Sequence, residues 1–175
     1  MSIASTHITE LENQIWSLLE DVYDPEIPVL SIVDLGIVRD VQITFSSTPP
    51  SRDLRVTIII TPTYSGCPAM DMIAQNIEMA LRQHGIVNVK ISTALSPAWT
   101  TDWMTEQGKE RLRAYGIAPP ISKSFTIEYL EDLQVECPQC HSKNTHVLSQ
   151  FGSTACKALF KCEDCKEPFD YFKCH

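Results

Sequence analysis

The sequence predicts an α+β protein in two parts, a small α/β layer followed by a zinc-ribbon β domain, and three observations carry that prediction. Helix-spaced and strand-spaced apolar stripes alternate through the first half of the chain. A break at Gly116 and Pro119-Pro120 follows. Beyond it, Cys137-Pro138-Gln139-Cys140 and Cys162-Glu163-Asp164-Cys165 form two Cys-x-x-Cys hooks with 21 residues between them. Two thiolates on one tight turn, met by a second identical turn, complete a four-sulfur tetrahedral shell.

Thr9 and Glu12 have capping-box spacing, and Leu11, Ile15, Leu18, Leu19 and Val22 share one stripe, so a first helix is expected over 9–22. Asp24-Pro25-Glu26-Ile27-Pro28 cannot continue it, because proline lacks the amide donor and disfavours helix in the residue before it. An ordered loop rich in carboxylates results. Val41, Ile43 and Phe45 alternate with polar neighbours, and Val56, Ile58 and Ile60 repeat the pattern after the turn-rich Ser46–Asp53, which predicts a hairpin. Cys67-Pro68 puts proline in a first helical turn, and Ile73, Ile77, Ala80 and Leu81 form a stripe ending at Gly85, giving a second helix over 68–84. Val87, Val89, Ile91, Thr93 and Leu95 alternate as a third strand that can return beside the hairpin. Helices then cover one face of a three-stranded sheet.

Thr101–Tyr115 reads as a further helix closed by Gly116. The expected division is a first domain over 1–120, a linker over 121–134 and a ribbon over 135–175. Within the linker, Phe125, Ile127 and Tyr129 alternate as an edge strand for either domain.

Composition narrows the function. The chain has 175 residues and a formal charge of −8. Residues 1–136 hold 9 Lys+Arg against 18 Asp+Glu, and residues 137–175 hold 5 against 4. A near-neutral ribbon lacks the clustered cations from which phosphate binding draws its affinity, so nucleic acid is not an expected partner. No run reaches the roughly 20 apolar residues of a membrane span, and the N-terminus lacks a secretory pattern, so a cytoplasmic protein without a membrane partner is expected. Four of the seven cysteines lie in hooks and residues 1–136 contain only Cys67, a distribution that favours metal binding over disulfides.

Cys137, Cys140, Cys162 and Cys165 are therefore the expected zinc ligands, with Cys156 and Cys174 as alternates. His141, directly after the first hook, reads as an exposed turn residue or a substitute ligand. A closed sulfur shell leaves no open position for substrate, so no catalytic residue is expected there. Cys67 is the other informative thiol. At a helix N-terminus the amide donors and dipole favour its thiolate, and Asp24, Glu26 and Asp34 could join it as oxygen ligands. A buried cysteine under a turn, with acidic residues acting only as caps, fits the same residues. Trp99 and Trp103, near Met104, read as a packing cluster or a docking surface, to be separated by burial.

Asp24-Pro25-Glu26-Ile27-Pro28-Val29-Leu30-Ser31-Ile32-Val33-Asp34-Leu35-Gly36 and Thr61-Pro62-Thr63-Tyr64-Ser65-Gly66-Cys67-Pro68 resemble the SufT-type iron–sulfur assembly domain. Leu95–Trp103, Phe151–Leu159 and Glu167–Cys174 are similar to the PaaD family, accessory members of bacterial phenylacetyl-CoA 1,2-epoxidase systems. The resemblance implies a non-catalytic role in phenylacetate degradation, an aromatic catabolic pathway in which a di-iron oxygenase takes electrons from a reductase. It implies that the chain matures or maintains a di-iron or iron–sulfur centre of one of those partners and docks to it. Carried over by position, Cys67 is the cluster or iron contact, with Asp24, Glu26 and Asp34 shaping the pocket. Zinc would be structural, and iron or an iron–sulfur cluster would pass through transiently. A homodimer is compatible with the resemblance. Two other classes stay open on the residues alone: a thiol-dependent redox protein using Cys67 or Cys156, and a zinc-ribbon nucleic-acid binder.

Overall fold

In the chain's computed structural model, Leu54–Ile60 (β2) buries every second side chain, Val56, Ile58 and Ile60, and is the central strand of a three-stranded sheet. The residues described are 3–45, 54–121, 130 and 133–173, with side chains described from His7 onward. Ser46–Asp53, Phe125, Ile127, Tyr129 and Cys174 therefore lie outside them. Two compact units divide between Ala98 and Trp99, and each is taken by itself.

In the first unit, Val38–Phe45 (β1) pairs antiparallel with β2, in register Val41 to Ile58 and Ile43 to Val56. Val89–Thr93 (β3) pairs with the other edge of β2 in parallel. The parallel pairing follows from the intervening helix, because a strand that returns after a crossover runs in the same direction. Ile3–Glu20 (α1) and Ala69–Gln83 (α2) pack against each other and against the sheet, burying Ile15 and Leu19 from one and Ile73, Ile77 and Leu81 from the other. The expected helix over 9–22 thus begins six residues earlier, and Thr9 lies inside it instead of capping it. The hairpin, second helix and third strand stand where the periodicity puts them.

The second unit holds a four-stranded sheet in the order β4-β7-β6-β5. These strands are Ile117–Ala118 (β4), Thr145–Ser149 (β5), Lys157–Cys162 (β6) and Pro168–Phe172 (β7). Phe160 stacks on Phe169 with centroids 5.9 Å apart and meets Tyr171 edge-on at 5.5 Å, so the ribbon has an aromatic core beside its cysteines. The single helix expected over 101–115 is instead a 3₁₀ turn, Thr101–Trp103, followed by Glu106–Tyr115 (α3). Thr100 and Thr105 each cap one of these through a side-chain oxygen, and that second cap interrupts the run. Gly116 closes α3 at φ 93°, a left-handed position suited to glycine.

β4 pairs in parallel with β7, and Trp99 is buried against Phe172 at 6.1 Å. Residues 99–118 accordingly pack within the ribbon's unit, whereas the boundary expected from sequence falls after them, at 120. The reason is a strand of only two residues, too short to leave a period, whose partner lies about fifty residues on. Burial also assigns Trp99 to packing.

Candidate functional site

Two sulfur sites stand out, one in each unit. The first hook sits in the turn after Val135, and the second in the β6–β7 turn, where hairpin pairing holds it. Each hook closes the same way: the amide of Cys137 donates to the Ser142 carbonyl at 2.9 Å, and that of Cys162 to the Glu167 carbonyl at 3.0 Å. The residue after each second cysteine is left-handed, His141 at φ 62° and Lys166 at φ 68°. Asp164 joins the hooks, accepting from Ser142 Oγ at 2.5 Å and from Asn144 Nδ2 at 2.8 Å. These bonds hold its carboxyl below the usual range. No sequence signal marks that clasp.

The four sulfurs lie within 4.8 Å of one another. Cys137 and Cys165 approach to 3.7 Å, and Cys140 and Cys162 to 3.5 Å. A disulfide needs about 2.05 Å. Opposite edges of a tetrahedron with metal–sulfur bonds of about 2.3 Å measure about 3.8 Å, so the cage has the dimensions of a zinc–sulfur shell. Charge leads to the same fit. The Cys165 and Asp164 amides and neighbouring thiols draw Cys162 down to about 7. At Cys165 the Glu167 amide favours the thiolate, but burial and the three other sulfurs outweigh it and push that thiol up to about 12. Four thiolates need a divalent cation among them. Metal uptake should therefore expel protons, and affinity should rise with pH while those thiols still carry them. Calorimetric zinc titration in buffers of different ionisation enthalpy checks this: proton release per zinc should be positive at pH 7 and shrink towards pH 9.

Cys156 does not join the cage. It precedes β6 while Cys162 ends that strand, a separation of about 20 Å at strand rise, so it cannot replace a ligand. Instead it is buried, with Sγ 3.0 Å from Thr154 Oγ1. His141 is exposed and pairs with Glu136 at 3.0 Å, outside the cage. Its left-handed backbone disfavours a side chain by about 1 kcal/mol, and an exposed hydrogen bond to Glu136 offsets little of that. His141→Gly should raise the thermal midpoint of the zinc-loaded ribbon by about that free energy.

Cys67 stands two residues before α2. Gly66 at φ 84° turns the chain so that the Cys67 amide reaches the Tyr64 carbonyl at 3.3 Å. The Thr61 amide bonds the Ile37 carbonyl at 2.9 Å, which ties this loop to the end of the carboxylate-rich segment. Within that segment, Asp24 Oδ1 accepts from the amides of Glu26 at 2.7 Å and Ile27 at 2.8 Å. Asp34 is buried, and its amide donates to Ser31 Oγ at 3.0 Å.

The expected thiolate is not what this setting favours. Burial pushes the half-buried Cys67 thiol up, and the charges of Glu26 and Asp24 add to it, against an opposing amide from Ala69 and the Tyr64 hydroxyl. The helix N-terminus loses to desolvation and two carboxylates. The charges of Glu26 and Asp24 thus act on the thiol from the carboxylate-rich segment. Among the described residues, however, Cys67, Asp24, Glu26 and Asp34 do not form a group of three or more ligand atoms in reach of one ion.

A protein of Escherichia coli provisionally named as a component of 1,2-phenylacetyl-CoA epoxidase is 48% identical over 162 residues, covering 93% of this chain and 92% of its own length. The chain belongs to the PaaD family. A family model described as the PaaD zinc beta ribbon domain matches residues 122–173, and one described as an iron–sulfur cluster assembly protein matches 12–92. The cage falls inside the first match and Cys67 inside the second. An Fe-S protein maturation auxiliary factor of Porphyromonas gingivalis is 35% identical over 99 residues, covering 56% of this chain and 87% of that protein. The crystal structure of a DUF59 domain of unknown function from Bacillus anthracis aligns at TM-score 0.50 and 26% identity, covering 59% of this chain and 92% of that one. PaaD family membership thus joins an assembly-type domain to a zinc ribbon. No helix among the described residues is long and apolar enough to cross a membrane.

Proposed function

We propose that this chain is a cytoplasmic, non-catalytic accessory factor of a phenylacetyl-CoA 1,2-epoxidase system in phenylacetate degradation. It matures or maintains the di-iron or iron–sulfur centre of the oxygenase or reductase. Zinc held by Cys137, Cys140, Cys162 and Cys165 stabilises the ribbon, which serves as the docking arm. Iron or a cluster is cargo at Cys67, with Asp24, Glu26 and Asp34 around it. The observation that carries this reading is the contrast between a closed four-sulfur cage and one half-buried thiol under the charge of Glu26 and Asp24.

That setting suits transfer. A thiol whose pKa is raised rests protonated and binds metal weakly, and an arriving cation displaces the proton against favourable carboxylate charge. Weak holding allows release to a client. The direct test is reconstitution: the oxygenase and reductase are expressed with and without this chain, and iron content and epoxidation are measured. Equal metal and equal activity in both would end the proposal.

The thiol-redox alternative needs a thiolate at neutral pH, and the raised Cys67 thiol speaks against it. Alkylation of Cys67 followed against pH should have its midpoint above the usual thiol value. A depressed midpoint would revive the redox reading. The nucleic-acid alternative is weakened by the near-neutral ribbon.

A further inference from the structure

The antiparallel ladder of β6 and β7 runs one residue beyond the strands. Lys157 pairs with Phe172, and the Lys173 amide donates to the Cys156 carbonyl at 2.9 Å, so Cys156 and Lys173 stand directly opposite one another. Alternation puts both side chains on the face that carries Ala158 and Tyr171, then Phe160 and Phe169. A thiol and a primary amine thus close this apolar row at the end of β6 away from Cys162. Opposed residues have Cβ atoms about 4.5–5.5 Å apart, a gap that a lysine side chain spans.

Both groups are out of solvent, Cys156 at 5% and Lys173 at 2% exposure. The loop before β6 is pinned over them. Lys173 Nζ donates to the Gln150 carbonyl and lies 4.4 Å from the centroid of the Phe151 ring. Ser153 Oγ donates to Asp170 at 2.9 Å, Lys157 pairs with the same carboxylate at 3.7 Å, and a Cβ at Gly152 would clash with Asp170 Oδ1. Thr154 Oγ1 lies 3.0 Å from Cys156 Sγ, where a hydroxyl can donate to a thiolate. Burial draws the Lys173 pKa down towards the neutral amine, opposed by the charge of Cys156.

We infer that Cys156 and Lys173 are an oxidant-responsive pair, which hydrogen peroxide converts into a sulfur–nitrogen bond between the ends of β6 and β7. The Lys173 amine takes the thiol proton. The Cys156 thiolate then attacks the peroxide, so that an S–O bond forms, the O–O bond breaks, and the ammonium returns its proton to the leaving hydroxide as water. The amine, free again, attacks the sulfenic sulfur. An S–N bond forms, the S–O bond breaks, and hydroxide leaves with the amine's proton as a second water. The thiol and amine lose two electrons to one peroxide, and no other co-reactant is needed. Burial favours this outcome because a water-sized oxidant reaches the sulfur more readily than the bulky thiols that would otherwise capture a sulfenic acid. Cys67 and the zinc cage take no part. The new bond closes residues 157–172, with Cys162 and Cys165 among them, into a covalent loop.

Peptide mapping by mass spectrometry tests this on the full zinc-loaded chain, treated with hydrogen peroxide in small steps while retained zinc is counted. Before zinc is lost, a species about 2 Da lighter should accumulate, with Cys156 closed to alkylation, cleavage by trypsin after Lys173 abolished, and both restored by dithiothreitol. After zinc is removed by chelation, the linked ribbon should melt at a higher temperature than the unlinked one. K173R keeps a cation but no nucleophilic amine, so it should stop at a sulfenic acid about 16 Da heavier that dimedone traps. C174S should form the link as the wild type does, which distinguishes it from a disulfide to Cys174. A Cys156 that stays open to alkylation until zinc is lost, a link that persists in K173R, or a link that vanishes in C174S would each overturn the inference.

Discussion

Cys162→Ser is expected to empty the ribbon of zinc and unfold it while the first unit stays folded. Cys162 is fully buried, ends β6 and belongs to the same core as Phe160, Phe169 and Tyr171. Losing one sulfur removes a metal ligand and part of that core together. Structural zinc sites contribute about 10–16 kcal/mol of apparent binding energy, as much as or more than the roughly 5–15 kcal/mol that holds a whole domain folded. The ribbon therefore should not survive the loss, whereas the first unit keeps its own core of Ile15, Leu19, Ile58, Ile73 and Ile77. Zinc should fall from about one per chain to near none, and near-ultraviolet circular dichroism should lose the ribbon's aromatic signal. A serine variant that retains a full zinc complement would show that the cage is not the ligand set.

The second large effect concerns function with little change in fold. Cys67→Ser removes a half-buried thiol and replaces it with a hydroxyl of similar size, within reach of the Ala69 amide and Tyr64 that the thiol meets. Stability should shift by no more than about 1 kcal/mol. Delivery of iron to the client should nonetheless fall to the level seen without this chain, because a hydroxyl is a far poorer ligand for iron than a thiolate. Glu26→Gln separates charge from ligation. Removing one carboxylate should lower the Cys67 pKa towards its ordinary value, measurable as a lower midpoint for alkylation.

Much of this architecture is legible in the sequence because it rests on periodicity. The hairpin, α2 and β3 follow from apolar spacing, and the cage follows from two hooks whose spacing has few other uses. What escapes is long-range or energetic. β4 is too short for a pattern and is defined by β7 far along the chain. Thr105 ends one turn and caps the next helix, a choice between caps that composition does not disclose. His141 after the first hook leaves that turn undecided on sequence, and Lys166 shows that the second hook adopts the same left-handed geometry with another non-glycine residue. The sign of the Cys67 shift is equally illegible. A helix start favours the thiolate, and only folding reveals that burial and the charges of Glu26 and Asp24 prevail.

The central claim is that Cys67 handles iron on behalf of a client while the zinc cage holds the ribbon together. Its most direct measurement is iron per polypeptide in the oxygenase and the reductase, each purified anaerobically from cells co-expressing either the wild-type chain or the Cys67→Ser variant. Zinc in the accessory chain is counted in the same samples. The expected result is a marked loss of iron from one client with the variant, at an unchanged zinc content of about one per chain. Equal iron in both clients with either chain, at equal zinc, would contradict it.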